Sequence, residues 1–335
     1  MTQPPTALGR FPAAFSRLVA VASVKHRRLA AGSLRICLGG ITLIFYALHV
    51  AQRELLWGPN AAVTPQDAAV IMSANHSWSL YGLFPSELGF EVLFWTGFVV
   101  TLAFAFGVGG RITTILFYVF TWSIYQRDYY AIDGGENLLI ILAFYMMFMD
   151  LTALSVDQQL GWFKNRPNTW VGAMIHNAAL VACLLQLSIM YFVSDFFKIQ
   201  GHVWADGTAL YYILRTNEFS LPPLTDHLFR NQLLVVSGTY ATIIFEAMYP
   251  WAIWHPRLKY AVLAGVIALH LSIGVFMGLV FFSLTMICVD LLFFDDKELI
   301  TLASWIANRF HWVTTLIGDA IDYAKGSGKP VSDER

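Results

Sequence analysis

Long apolar runs, parted by short polar stretches, fill most of the chain. A helix needs about 20 such residues to cross a hydrocarbon core about 30 Å thick. The runs predict spans at about Ser33–Val50, Phe90–Val108, Ile112–Gln126, Leu138–Ser155, from Trp170 to about Lys198, and Gln232–Trp254. The last run, Tyr260–Phe294, would be roughly 50 Å long as one helix, too long for a single pass. We read it as a seventh and an eighth span divided at Gly274 and Gly278. The expected fold is an all-α polytopic membrane protein with about eight transmembrane helices.

The polar stretches give this bundle two sides. Gly109-Gly110-Arg111 leaves room only for a tight hairpin, whereas 51–89 and 198–231 are long. All but five of the 21 Lys and Arg (Arg53, Arg127, Lys198, Arg215 and Arg230) fall on the side of the termini. That bias predicts both termini in the cytoplasm of a multi-pass plasma-membrane protein, with the long loops and the DGGEN turn at 133–137 facing outward. Residues 1–32, with Arg10, Arg17, Lys25, Arg27 and Arg28, read as a cytoplasmic amphipathic lead-in without a signal-peptide cleavage site. Residues 33–294 form the transmembrane domain. Residues 295–335 read as an amphipathic cytoplasmic helix and a polar, disordered end.

Composition narrows the function classes. Hydrophobic residues make up 57% of the 335 and charged ones 13%, outside the range of soluble domains. No basic stripe suggests nucleic acid. Cys37, Cys183 and Cys288 lie inside apolar runs with no metal-ligand spacing, so neither a disulfide framework nor a metal site is expected. No internal repeat stands out, which weighs against a transporter built from two related halves.

Ionisable residues inside apolar runs are the candidates for chemistry, because charge in the bilayer is costly unless it faces protein or a water-filled cavity. Lys198 follows the fifth run directly. Held near apolar walls it would lose ammonium hydration and could act as a base; alternatively it snorkels to the interface. Asp195, one turn earlier, could pair with it. His270 lies near the middle of the seventh span and Glu246 deep in the sixth, at a level that lets them pair. Asp290 reads as a structural group at the cytoplasmic rim. Asp133, Gly134, Gly135 and Glu136 open the fourth helix, either as a plain cap or as backbone amides awaiting an anion or a carbonyl.

Three stretches carry a resemblance to a known family: IDGGENLLIILAFYMMFMD, the run K-x2-G-x2-W-x-D-G-T-A-x-Y from Lys198 through Trp204 and Asp206, and the H-x12-S spacing from His270 to Ser283. Over about residues 30–295 the chain resembles the horizontally transferred transmembrane (HTTM) domain, which is also the membrane part of vitamin K-dependent γ-carboxylase. SLYGLFP, WADGTALYYIL, SLPPL and FEAMYP are similar to the sporulation-delaying protein B branch, whose members serve in maturing a secreted peptide toxin beside a small single-span membrane partner.

The resemblance implies Lys198 as base and His270 as the membrane histidine; Glu246 and Glu136, singled out above by their positions, complete the catalytic candidates. Asp133, Gly134, Gly135, Trp204 and Asp206 are the cofactor-binding candidates, and an isoprenoid quinone or quinol is the candidate cofactor. Gly135 stands where the carboxylase has a histidine, and no stretch corresponds to the carboxylase's large extracytoplasmic domain. Both departures argue against glutamate carboxylation on a docked protein. Three readings stay open. The first is a membrane protein maturing or exporting a secreted peptide toxin at the outer face with a small membrane partner, over a polar chamber roofed by the two long loops. The second is a quinol-dependent oxygenase or carboxylase-like enzyme. The third is a non-catalytic scaffold or immunity-like binding protein. Membrane lipid is a partner in all three.

Overall fold

The computed structural model describes residues 19–128, 130, 133–161, 169–217 and 220–309, the side chains of Pro223 and Phe229 excepted. Among these residues there are helices and no strands. The bundle is made of α1 Arg28–His49, α2 Glu87–Phe106, α3 Gly110–Arg127, α4 Gly134–Met146, α5 Trp170–Lys198, α6 Gln232–Ala252, α7 Leu258–Phe276 and α8 Val280–Val289, with α9 Asp296–Arg309 following. Five stretches are long and apolar enough to cross a membrane: Arg28–Trp57, α2, α5, α6 and α7. Gly134–Met146 and Val280–Phe293 are apolar but shorter. Residues 1–18 of the expected lead-in, Lys164 and Arg166, and residues 310–335 of the tail lie outside the described residues.

Local chemistry explains the helix ends. Asp133 caps α4 through a capping box with Glu136, and Ser86, Thr169 and Asn231 cap α2, α5 and α6 through their side chains. The α2–α3 hairpin turns through Gly107, Gly109 and Gly110, all at positive φ, where a side chain would be strained. Two sequence expectations need correction. The fourth helix stops at Met146, not near Ser155, and its 13 residues rise only about 20 Å. Beyond it the chain turns, because Asp150 accepts from Lys25 (2.6 Å) and from Thr152 while its amide donates to His176 Nδ1 (3.0 Å). Gly274 lies inside α7, where a Cβ would come within 3.2 Å of Ser283; the break is at Gly278 alone, with φ of 73°.

In lipid the attraction between helices comes from close packing and polar contacts. Gly39 of α1 meets Ala105 of α2 so closely that a Cβ would sit 2.8 Å from its Cα, and Phe104 and Phe117 stack at 3.9 Å. Arg35, 2% exposed inside α1, donates to the carbonyls of Phe104, Ala105 and Leu154 and so ties the end of α2 to the turn after α4. Arg127 donates in the same way to Gly58 and Val63, tying the 51–89 connection to the end of α3.

These ties define two ends. At the basic end, Arg27 donates to the Leu292 carbonyl, Arg28 to Thr152, and Lys259 to Glu298. The opposite, loop end carries the helices Arg53–Trp57, Pro65–Ala74 and Leu80–Leu83, and those at His202–Ala205, Ala209–Ile213 and Pro222–Phe229.

Candidate functional site

The seam between α5 and α6 holds the ionisable residues. On α5, Tyr191, Ser194, Asp195 and Lys198 recur at helical spacing and share one face. Opposite them on α6 stand Thr242, Glu246 and Tyr249, all buried. Lys198 Nζ donates to Glu246 Oε2 at 2.5 Å and to Ser194 Oγ at 2.6 Å, and lies 5.5 Å from the centre of the Trp204 ring. Glu246 is 8% and Lys198 21% exposed at the side chain, so this is an ion pair within the bundle and not a snorkelling lysine.

Its depth follows from helix geometry. Glu246 comes 14 residues after Gln232, about 21 Å from the loop-end start of α6. The chain leaving α5 therefore packs back along the outer half of α6. Leu210 N donates to Thr239 Oγ1 (3.3 Å), Tyr240 donates to the Ala205 carbonyl (2.8 Å), and a Cβ on Gly207 would strike the Tyr240 ring at 2.9 Å. Lys198 thus sits below a cover of short helices. Pro250, inside α6, has no N–H to donate to the carbonyl of Glu246 one turn back.

Two expected pairings are corrected here. Glu246 is held by Lys198 and not by His270. Asp195, although near Lys198, keeps Oδ1 without a partner. His270 Nε2 meets the Tyr191 hydroxyl at 2.9 Å while its Nδ1 is unpaired. Tyr191 packs against Tyr249 with ring centres 4.0 Å apart and planes tilted by 38°, and the Tyr249 hydroxyl donates to Asp290 Oδ1 at 2.6 Å. Asp290, read from sequence as a rim residue, is 1% exposed. Tyr191, Ser194 and Tyr249 were missed as site residues. The signal was present in their spacing from Lys198 and Glu246, since each lies three or four residues from another member on one helix face.

The DGGEN turn is a separate place. Asp133 Oδ1 accepts from Gly135 N (2.6 Å), and Glu136 Oε2 accepts from Asp133 N (2.9 Å). Phe282 stands between this turn and the α5–α6 seam. A Cβ on Gly135 would lie 2.7 Å from its Cα, and its ring meets His270 edge-on at 5.4 Å. Gly134 also faces Phe282. Trp204 joins Lys198, whereas Asp206 is exposed on the cover.

The cavity beside these groups is apolar, not the polar chamber expected. It has a volume of about 430 Å³ between α6 and α7 beneath Leu210, Leu214 and Leu228, with Thr242, Phe245, Leu269 and Ile273 among its walls. Glu246 and His270 are sequence neighbours of Phe245 and Leu269 but face the seam. Among the described residues no cluster of His, Cys, Asp or Glu could hold a metal ion.

The chain is similar to two proteins of Bacillus subtilis (strain 168). It is 23% identical over 207 residues to the uncharacterized protein YitO, covering 59% of this chain and 65% of YitO, just under two thirds of that relative's length. It is 24% identical over 233 residues to the sporulation-delaying protein SdpB, covering 68% of this chain and 71% of SdpB. No family model matches the chain. No solved structure matches it.

Proposed function

We propose that this chain is a multi-pass protein of the cell membrane that serves in maturing or exporting a secreted peptide toxin at the outer face. Its working centre is the Lys198–Glu246 pair, and it acts beside a small single-span membrane partner. In this reading the bundle crosses the membrane eight times, with the basic end in the cytoplasm. The observation that carries the reading is the ion pair inside the seam. A charge pair in a bundle interior contributes less stability than apolar packing of the same volume would, so function is the better reason for its presence. The similarity to a sporulation-delaying protein over 68% of the chain supports this reading.

Chemically, the resting pair holds Lys198 as a cation with no free lone pair. It becomes a base once its proton passes to Glu246 along the 2.5 Å hydrogen bond, and Ser194 Oγ then remains as the group orienting the amine. The test is made in the native host. Deleting the gene should remove a growth-inhibiting peptide from the medium. The wild-type chain should restore it, and Lys198→Met at equal membrane abundance should not. Restoration by Lys198→Met would end this assignment.

A second reading is favoured by the apolar cavity. Its walls, Leu210, Thr242, Phe245, Leu269 and Ile273, suit the isoprenoid tail of a membrane quinone, a ligand class that binds concave apolar sites with few polar groups. Such a group would supply a redox-active oxygen. Copurification of quinone with the chain in mild detergent tests this reading, and a quinone-free preparation would dismiss it.

A further inference from the structure

Three polar pairs lie along the α5–α6 seam and the faces of α7 and α8 packed against it: Lys198 with Glu246, Tyr191 with His270, and Tyr249 with Asp290. They form a descending row. Tyr191 comes seven residues before Lys198 on α5, about 10 Å nearer the basic end, and Asp290 closes α8 where the chain reaches that end. Ser194, bonded to Lys198, is one turn from Tyr191; Glu246 is one turn from Tyr249; and the two phenol rings touch. An unpaired buried polar group is costly unless a water reaches it. Asp195 Oδ1, His270 Nδ1, Ser283 Oγ and Asp290 Oδ2 in this row are buried without a protein partner, as are atoms elsewhere in the bundle such as Arg35 Nε. In the row these are the atoms at which a water would bridge one pair to the next.

We propose that Lys198, Glu246, Tyr191, His270, Tyr249 and Asp290 form a proton path joining the Lys198–Glu246 pair to the basic end of the bundle. The reading rests on that pair being the working centre, to which the path would bring, or from which it would remove, the proton exchanged in each cycle. Every link passes one proton between a donor and an acceptor (ammonium, carboxyl, phenol, imidazole or water), so no electron moves and no co-reactant is needed. At the upper end the exposed fifth of Lys198 meets the cover of short helices. At the lower end Asp290 Oδ2 lies two and three residues before the carbonyls of Leu292 and Phe293, which are gripped by the part-buried cations Arg27 and Lys259 of the basic end. Asp195 and the Cys288 thiol are the other titratable groups close to the row.

The experiment uses the full chain in liposomes loaded with a pH-sensitive dye, with a potassium diffusion potential imposed by valinomycin. Wild type should admit protons at least 10-fold faster than protein-free liposomes. Tyr191→Phe breaks the bond to His270, and Asp290→Asn keeps an acceptor for the Tyr249 hydroxyl but cannot carry a proton. Both should return the rate to near the protein-free level while eluting as the same monodisperse species. A wild-type rate equal to that of protein-free liposomes, or either variant conducting as wild type does, overturns the path. The result needs no peptide substrate. Failure of peptide maturation in the host with proton entry intact would therefore sink the functional reading and leave the path standing.

Discussion

Replacing Lys198 by Met leaves Glu246 in the seam with its cation gone and only 8% of its side chain exposed. The carboxyl must then enter the fold neutral. Neutralising a group whose ordinary pKa is near 4.3 costs about 3.7 kcal/mol at pH 7 and about 1 kcal/mol at pH 5, at 1.36 kcal/mol per pH unit. That sets the expected loss at pH 7, within the range of about 3–5 kcal/mol found on breaking buried pairs. The sign follows from linkage: a carboxyl forced neutral in the fold contributes full stability below its unfolded pKa and loses it as pH rises, so Lys198→Met should recover most of its stability on going from pH 7 to pH 5. The double variant Lys198→Met/Glu246→Leu removes both charges and should lie within about 1 kcal/mol of wild type at either pH. Unfolding in mixed micelles titrated with denaturing detergent, followed by tryptophan fluorescence, measures all three proteins. A loss for Lys198→Met that is under about 1 kcal/mol, or unchanged between pH 7 and 5, would refute the buried pair.

Other expectations come from the ties outside the seam. Arg35→Met should cost about 2–3 kcal/mol in the same unfolding assay, because the carbonyls of Phe104, Ala105 and Leu154 lose a charged donor. Burial alone would raise the Asp150 carboxyl, but the hydrogen bonds from Lys25 and Thr152 and the charge of Arg28 together hold it well below the usual carboxylate range. Its contribution is therefore present above about pH 4 and lost only in stronger acid; Asp150→Asn should flatten the acid limb of a pH–stability profile. Burial likewise tends to raise Glu298, yet Lys259 and Tyr260 bring it below its ordinary value, so α9 should stay docked above about pH 4.3. Glu298→Gln should loosen it at neutral pH, as read by mobility of a spin label at Ser304. Filling the apolar cavity with Ala268→Trp should remove any copurifying quinone and leave the elution profile unchanged; retained quinone would place that ligand elsewhere.

Much of the fold was legible because apolar runs and their breaks are local. The α2–α3 hairpin follows from Gly109-Gly110-Arg111, and the break before α8 from Gly278. What failed was depth and partnership. The fourth run reads as apolar through Leu154, but Asp150 is claimed by Lys25 and His176 from distant segments, and the helix ends early. Position along the runs puts Glu246 and His270 near one level of the bundle. The structure pairs Glu246 with Lys198, 48 positions away, because α5 ends below the outer half of α6 and the next segment folds back as a cover. Arg35 and Arg127 spend their charge on backbone carbonyls, partners that leave no mark in a pattern of side chains. Asp133 and Glu136 form the helix cap that their spacing offers, their carboxylates accepting from amides of their own turn.

The central claim is that the Lys198–Glu246 pair does chemistry and is more than a fastening between helices. The most direct measurement is the amount of mature peptide in the host's culture medium, by mass spectrometry, when the chain is replaced by Lys198→Met/Glu246→Leu at wild-type membrane abundance. The account predicts a protein as stable as wild type and a peptide yield at least 100-fold lower. Wild-type yield from that variant would show that the pair only holds the helices together.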